Sequence, residues 1–295
     1  MRAQANGIEI EYETFGDPSD PPLLLVMGLG CQLVWWNQDF VQAFVDRGFH
    51  VIIFDNRDVG LSTKIETHID LLGAVAGYLQ GDPIEAPYHL SDMAADAWGL
   101  CDALGLERVN LFGASMGGMI VQQMAIDQPD RVRSMCSIMS TTGEPEYGQG
   151  APEAMAALLT PPPTDRAGVI EASSRYSIWA SKKYYNAADA RERAAADYDR
   201  SFYPEGSSRQ LAAIFASGRR AEGLRKLKLP TLVIHGRDDT LISPSGGQRT
   251  AELVDGAHLF LVADMGHDLP SQLDPFFISV ITAHTRWADS LPKGK

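Results

Sequence analysis

A mostly parallel β-sheet covered by helices on both faces follows from two features of these 295 residues. Short, nearly continuous apolar runs recur along the chain, and helix-like segments separate them, as in α/β proteins whose strands are buried from both sides. At the start, Ile8, Ile10 and Tyr12 alternate with Glu9, Glu11 and Glu13. That alternation predicts a half-exposed antiparallel strand at one edge, belonging to an opening hairpin. Buried strands are expected at residues 22–28 (PLLLVMG), 50–56 (HVIIFDN), 108–115 (RVNLFGAS), 132–140 (VRSMCSIMS), 230–236 (PTLVIHG) and 258–265 (HLFLVADM). Ser91 and Asp92 mark a helix start, Met93, Ala97, Leu100, Cys101 and Leu104 then share one helical face, and Gly105 ends the helix. Residues 116–128 are apolar nearly all round and should form a central helix that follows its strand without a loop. Beyond residue 142 the strand rhythm stops, and Pro145, Pro152, Pro161, Pro162 and Pro163 stand among alanines and isolated aromatics. An inserted helical cap over residues 142–224 is expected there, leaving a discontinuous core of residues 1–141 and 225–295.

Charge and composition narrow the function. The 25 Lys and Arg against 38 Asp and Glu leave a net charge of −13. Such a field repels polyanions, no basic run offsets it, and no nucleic-acid partner is expected. With 45% hydrophobic and 21% charged residues, a chain of this length can bury roughly 75% of its extended surface, enough to fold without disulfides or metal. Cys31, Cys101 and Cys136 are odd in number and lack CxxC spacing, so they read as reduced thiols. The longest apolar run, residues 23–31, is too short to span a membrane, and the start MRAQANGIEIEY lacks the apolar stretch of a signal peptide. A cytoplasmic protein with no integral membrane segment is expected. No HExxH, Walker lysine or Cys/His cluster is present, which points to no metal and no cofactor. Gly28-Leu29-Gly30 after a strand, with Asp55 ending the next, imitates a dinucleotide fingerprint. Leu33 holds the place of the third glycine, however, and Trp35 and Trp36 follow where a helix should pack closely.

The chemistry lies in Gly113-Ala114-Ser115-Met116-Gly117, a GxSxG motif between a strand and a helix. The glycines omit side chains where strand and helix approach, so the chain can reverse sharply and expose Ser115 in a strained conformation, with the Met116 amide facing the reacting carbon. A serine hydroxyl needs a base within hydrogen-bond reach and an acid to orient that base. In this arrangement both come later in the chain, acid before base, from loops at the carboxyl edge of the sheet. His267 directly follows the run 258–265 and fits the base. His235 ends a strand but precedes every acid in its loop, and is expected to pack beside Gly236. The acid is Asp238 or Asp239, which spacing does not separate.

Through these motifs the chain resembles the α/β-hydrolase superfamily over nearly its full length, most closely the aclacinomycin methylesterase-like and small lipase or esterase branch. The resemblance implies an α/β-hydrolase fold. It selects Asp239, three residues after Gly236, with Asp238 in reserve. It also places the second oxyanion-hole amide at Leu29, after Met27-Gly28, where Met27 replaces the histidine of many relatives. Residues 55–62 (DNRDVGLS) resemble the D-x-R-G-x-G-x-S turn of the superfamily, with Asp58 in place of a glycine, and Arg57 and Asp58 are expected to tie loops together. Ser115 would attack an ester carbonyl while His267 takes its proton, Asp239 fixes the imidazole tautomer and the Leu29 and Met116 amides hold the oxyanion. The rate should rise with pH over the range in which a free imidazole loses its proton, about pH 6 to 7. Ser115 argues against dehalogenases and epoxide hydrolases of this fold, which carry Asp at the elbow. Carbon–carbon bond hydrolases, cofactor-free perhydrolases and a non-catalytic ligand-binding module stay open as alternatives. The expected partner is a small-molecule ester, short to medium and neutral, with an apolar acyl or methyl group. The resemblance also allows a bulkier polycyclic methyl ester. Trp35, Trp36, Trp179 and Phe215 are candidate substrate contacts; the sequence leaves oligomeric state open.

Overall fold

The computed structural model describes residues 1–80 and 84–291. Residues 81–83 and 292–295, which fall within the expected core, lie outside the described residues. The chain begins with β1 (Arg2–Ala5), β2 (Ile8–Phe15), β3 (Pro22–Val26), α1 (Gln38–Val45), β4 (His50–Phe54), α2 (Leu71–Gln80), α3 (Leu90–Ala103), β5 (Val109–Ala114), α4 (Met116–Asp127) and β6 (Val132–Ile138). A helical stretch follows with α5 (Pro152–Leu159), α6 (Arg166–Ala172), α7 (Ala187–Arg200), α8 (Pro204–Ser217) and α9 (Ala221–Lys226). The sheet resumes with β7 (Thr231–Gly236), and α10 (Ser245–Leu253), β8 (His258–Val262) and α11 (Asp274–Ser290) complete the order.

The strands form one sheet in the order β1-β2-β4-β3-β5-β6-β7-β8. β1 and β2 are antiparallel, as are β2 and β4; the rest is parallel. The expected edge strand is β2, and its hairpin partner β1 forms the edge itself. They join at Asn6-Gly7, both at positive φ, the pattern that matches a two-residue turn to strand twist.

Side-chain alternation divides the core between the two faces. Leu24, Val26, Ile52, Phe54 and Leu111 pack with Met93, Ala97, Met119 and Ile120 of α3 and α4. Leu23, Leu25, Val51, Ile53 and Phe112 pack with Phe40 and Phe44 of α1 and Phe277 and Ile281 of α11. Both faces are covered, so these strands read as unbroken apolar runs. β8 departs from that expectation. Among the described residues it is hydrogen-bonded only to β7 and forms the open edge, where Leu259, Phe260 and Leu261 are 36%, 40% and 41% exposed. An apolar run reports a strand, but only its neighbours decide burial. The third helix starts at Leu90, one residue before the expected Ser91, because Asp92 reaches back to accept the His89 amide at 2.7 Å.

β3 turns to β4 on one side and β5 lies on its other side, so the chain changes direction at β3. The loops after β3 and β5 therefore flank a crevice at the carboxyl ends of the strands, the usual ligand position in such sheets. No helix among the described residues is long and apolar enough to cross a membrane.

Candidate active site

Ser115 is the single residue between β5 and α4, with φ 57° and ψ −119°. Such a conformation costs a non-glycine residue about 1–3 kcal/mol and persists only where its surroundings impose it. They do so here. The Ser115 amide donates to the Ile138 carbonyl at 3.0 Å. A Cβ on Gly113 would run into the Gly117 carbonyl, and one on Gly117 into the Val26 carbonyl.

The loops after β7 and β8 bring an acid and an imidazole to this hydroxyl. His267 Nε2 lies 2.9 Å from Ser115 Oγ, which donates to it, and His267 Nδ1 donates to Asp239 Oδ2 at 2.7 Å. Asp239 Oδ1 accepts the Leu241 and Ile242 amides, each at 2.9 Å. Asp238 is turned away, and its Oδ2 accepts the Asp264 amide at 3.1 Å. His235 is fully buried, and its Nε2 faces two acceptors, the Ile242 carbonyl at 2.8 Å and Asp239 Oδ2 at 3.3 Å. It is thus a second imidazole against the acid, a contact its sequence position did not reveal. Burial alone would raise the Asp239 carboxyl, but the two histidines outweigh it and bring it down to about 2.

Gly28 packs directly against the serine, since a Cβ built on it would sit 3.2 Å from Ser115 Cβ. The Leu29 amide has no protein acceptor among the described residues, and Met116 opens α4, where an amide lacks an intrahelical acceptor. Asn56 Nδ2 steadies the strand end by donating to the Met27 carbonyl at 3.0 Å.

A family model described as alpha/beta hydrolase fold matches residues 21–271. The chain belongs to the alpha/beta hydrolase fold family. Rhodomycin D methylesterase DnrP of Streptomyces peucetius is 26% identical over 299 residues, 94% of each chain. The putative carbamate hydrolase RutD of Variovorax paradoxus is 26% identical over 264 residues, 88% of this chain and 89% of its own. Among solved structures, the meta-cleavage product hydrolase CumD of Pseudomonas fluorescens superposes with a TM-score of 0.76 at 22% identity, covering 98% of both chains. The esterase RhEst1 of Rhodococcus does so with 0.76 at 20% identity, covering 99% of this chain and 98% of its own.

In this α/β-hydrolase the turn over residues 55–62 fastens the helical stretch between β6 and β7 to the sheet. Asp58 has a φ of 73°, which accounts for the glycine usual there. Its carboxylate accepts from Arg209 at 3.0 and 3.1 Å, from the Tyr88 hydroxyl at 2.6 Å and from the Ile65 amide at 2.7 Å. Arg57 forks onto Asp96 at 2.6 and 2.7 Å. Asp55 accepts the Leu33 amide at 2.6 Å and Arg200 of α7 at 2.8 Å. Near the other rim the His267 amide donates to the Trp179 carbonyl at 2.7 Å.

Between these anchors lies a cavity of about 1400 Å³ that reaches Ser115 and His267. Trp35, Trp36, Trp179 and Phe215 all line it. Trp36 also belongs to the core, 3% exposed and stacked on Phe40. Among the described residues, no three His, Cys, Asp or Glu side chains are grouped to hold a metal ion.

Asp197 of α7 also borders the cavity, and its Oδ1 is buried without a hydrogen-bond partner. Burial raises its carboxyl to about 7. The native state therefore keeps a proton that the unfolded chain, with an ordinary value of 3.8, releases. This group's contribution to stability is full below the unfolded value and declines as pH rises toward 7. Asp197→Asn should consequently melt a few degrees above the wild type at pH 8, with the gap closing toward pH 4. Equal Tm differences at both pH values would contradict this account.

Proposed function

We propose that this α/β-hydrolase is an esterase-type enzyme that cleaves carboxylic esters through an acyl-enzyme on Ser115. The observation that carries the reading is the hydrogen-bond relay from Ser115 Oγ through His267 to Asp239 beside the cavity. Ser115 Oγ attacks the carbonyl carbon as its proton passes to His267 Nε2, and the carbonyl oxygen becomes an oxyanion between the Leu29 and Met116 amides. Collapse expels the alcohol, which takes the proton from His267. Water then attacks the acyl carbon as its proton passes to His267, and the adduct collapses with His267 returning that proton to Ser115 Oγ, which releases the acid and restores the free serine.

The substrate is a neutral ester with an apolar acyl or methyl group. The aromatic lining favours apolar bodies, and a charge of −13 disfavours polyanionic acyl carriers. A volume of about 1400 Å³ exceeds the roughly 300–1,000 Å³ of common ligand pockets. Similarity to a rhodomycin D methylesterase supports extending the range to a methyl ester on a bulky ring system.

Stopped-flow assays with p-nitrophenyl acetate, butyrate, octanoate and laurate, beside a polycyclic methyl ester, test both parts. A burst of p-nitrophenol is expected before steady turnover, with kcat/KM sustained through octanoate. Ester binding with no turnover would replace the enzyme reading with a ligand-binding one. A collapse of kcat/KM beyond butyrate would overturn the wide substrate range.

A further inference from the structure

We propose that Gln210, on helix α8, is a positioning residue for the oxyanion turn, so that the helical stretch over the cavity governs rate as well as substrate choice. The proposal rests on the serine-hydrolase reading above.

Residues 28–31 form a tight turn closed by the Cys31 amide donating to the Gly28 carbonyl, a long bond of 3.3 Å. Gly30, its third residue, has a φ of 69°, as a type II turn requires. Besides that bond the turn is closed from within by the Cys31 thiol donating to the Leu29 carbonyl at 3.4 Å, and two long bonds fix its position only weakly. Gln210 supplies the missing restraint. Its Oε1 accepts the Gly30 amide at 2.8 Å, and its Nε2 donates to the Arg57 carbonyl at 2.7 Å. One neighbour can only donate and the other can only accept, which fixes the amide orientation. The side chain is fully buried, and its far end is tied to a backbone already braced by the Arg57–Asp96 fork. Ser207, on the preceding turn of α8, also packs against Gly30.

Without this grip the whole turn can shift on its weak internal bonds and carry the Leu29 amide, which belongs to the Gly28–Leu29 peptide, off its line toward the oxyanion. Full removal of an oxyanion donor typically costs about 10² to 10³ in rate. Loosening one should cost about 10- to 100-fold.

Gln210→Met keeps the volume and deletes both hydrogen bonds. It should lower kcat/KM for p-nitrophenyl butyrate by about 10- to 100-fold and weaken an arylboronic acid, which mimics the tetrahedral adduct, by the same factor. Placed in a Ser115→Ala background, it should bind intact ester within about threefold of Ser115→Ala alone. Hydrogen exchange at Gly30 should accelerate at least about tenfold with no substrate present. Gln210→Glu should lie closer to wild type on every readout, because a buried neutral carboxylic acid offers the same one donor and one acceptor. Unchanged exchange, ester binding that falls in step with kcat/KM, or a Glu variant no better than Met would each overturn the proposal. A wild type that binds ester without turning it over overturns the hydrolase reading instead, while the exchange experiment still decides whether Gln210 holds the turn.

Discussion

Ser115→Ala should lower kcat for p-nitrophenyl butyrate by about 10⁶-fold while leaving the protein folded. The backbone at φ 57° is imposed by Gly113, Gly117 and the bond to Ile138. Alanine meets the same strain there as serine, so only the Oγ is lost. His267 Nε2 then has no proton to take and no nucleophile to activate. Any remaining rate would come from ester bound against the Leu29 and Met116 amides. Because serine and imidazole act as one unit, a Ser115→Ala/His267→Ala double variant should be no slower than either single change. Burst kinetics on purified variants check this. A single variant that retains about a hundredth of the wild-type rate would remove Ser115 from the chemistry.

Asp239→Asn should reduce kcat by about 10⁴-fold, and the hydrogen bonds show the cause. Oδ1 receives two backbone amides, from Leu241 and Ile242. An asparagine must keep its carbonyl oxygen there, since its NH₂ would face two donors. The NH₂ group is thereby forced into the place of Oδ2, opposite His267 Nδ1. To accept from it, the imidazole must shift its proton to Nε2, where it can no longer take the Ser115 proton. The fold should survive, since the backbone contacts of Oδ1 are retained. Loss of the downfield Nδ1 proton resonance together with kcat is the expected result. A variant within tenfold of wild type would assign the acid elsewhere, with Asp238 the first alternative.

The elbow was legible because its requirements are local. Two glycines around a serine, between an apolar run and a helix, specify close backbone approach without knowledge of distant residues. The order of strands and helices was legible for the same reason, through side-chain periodicity. Choosing between Asp238 and Asp239 was not a local matter; it depends on which carboxylate the Leu241 and Ile242 amides turn inward. The environment of His235 was hidden too, because its partner lies four residues ahead across a loop whose curvature no periodicity encodes. Nor could the sequence reveal that β8 has no outer neighbour among the described residues. Least visible were the polar ties to α8: Gly30 to Gln210 and Asp58 to Arg209 each join residues more than 150 positions apart. Asp58 alone left a trace, as an aspartate where the resemblance calls for a glycine.

The Asp55–Arg200 and Asp58–Arg209 pairs have a practical consequence for anyone who would exchange substrate preference by transplanting the intervening helices from another enzyme. Both carboxylates are fully shielded from water, and a graft lacking the arginines would strand two anions in the interior, a defect of several kcal/mol for each abandoned partner. A working chimaera must import those cations with the new segment or neutralise both aspartates in the recipient scaffold.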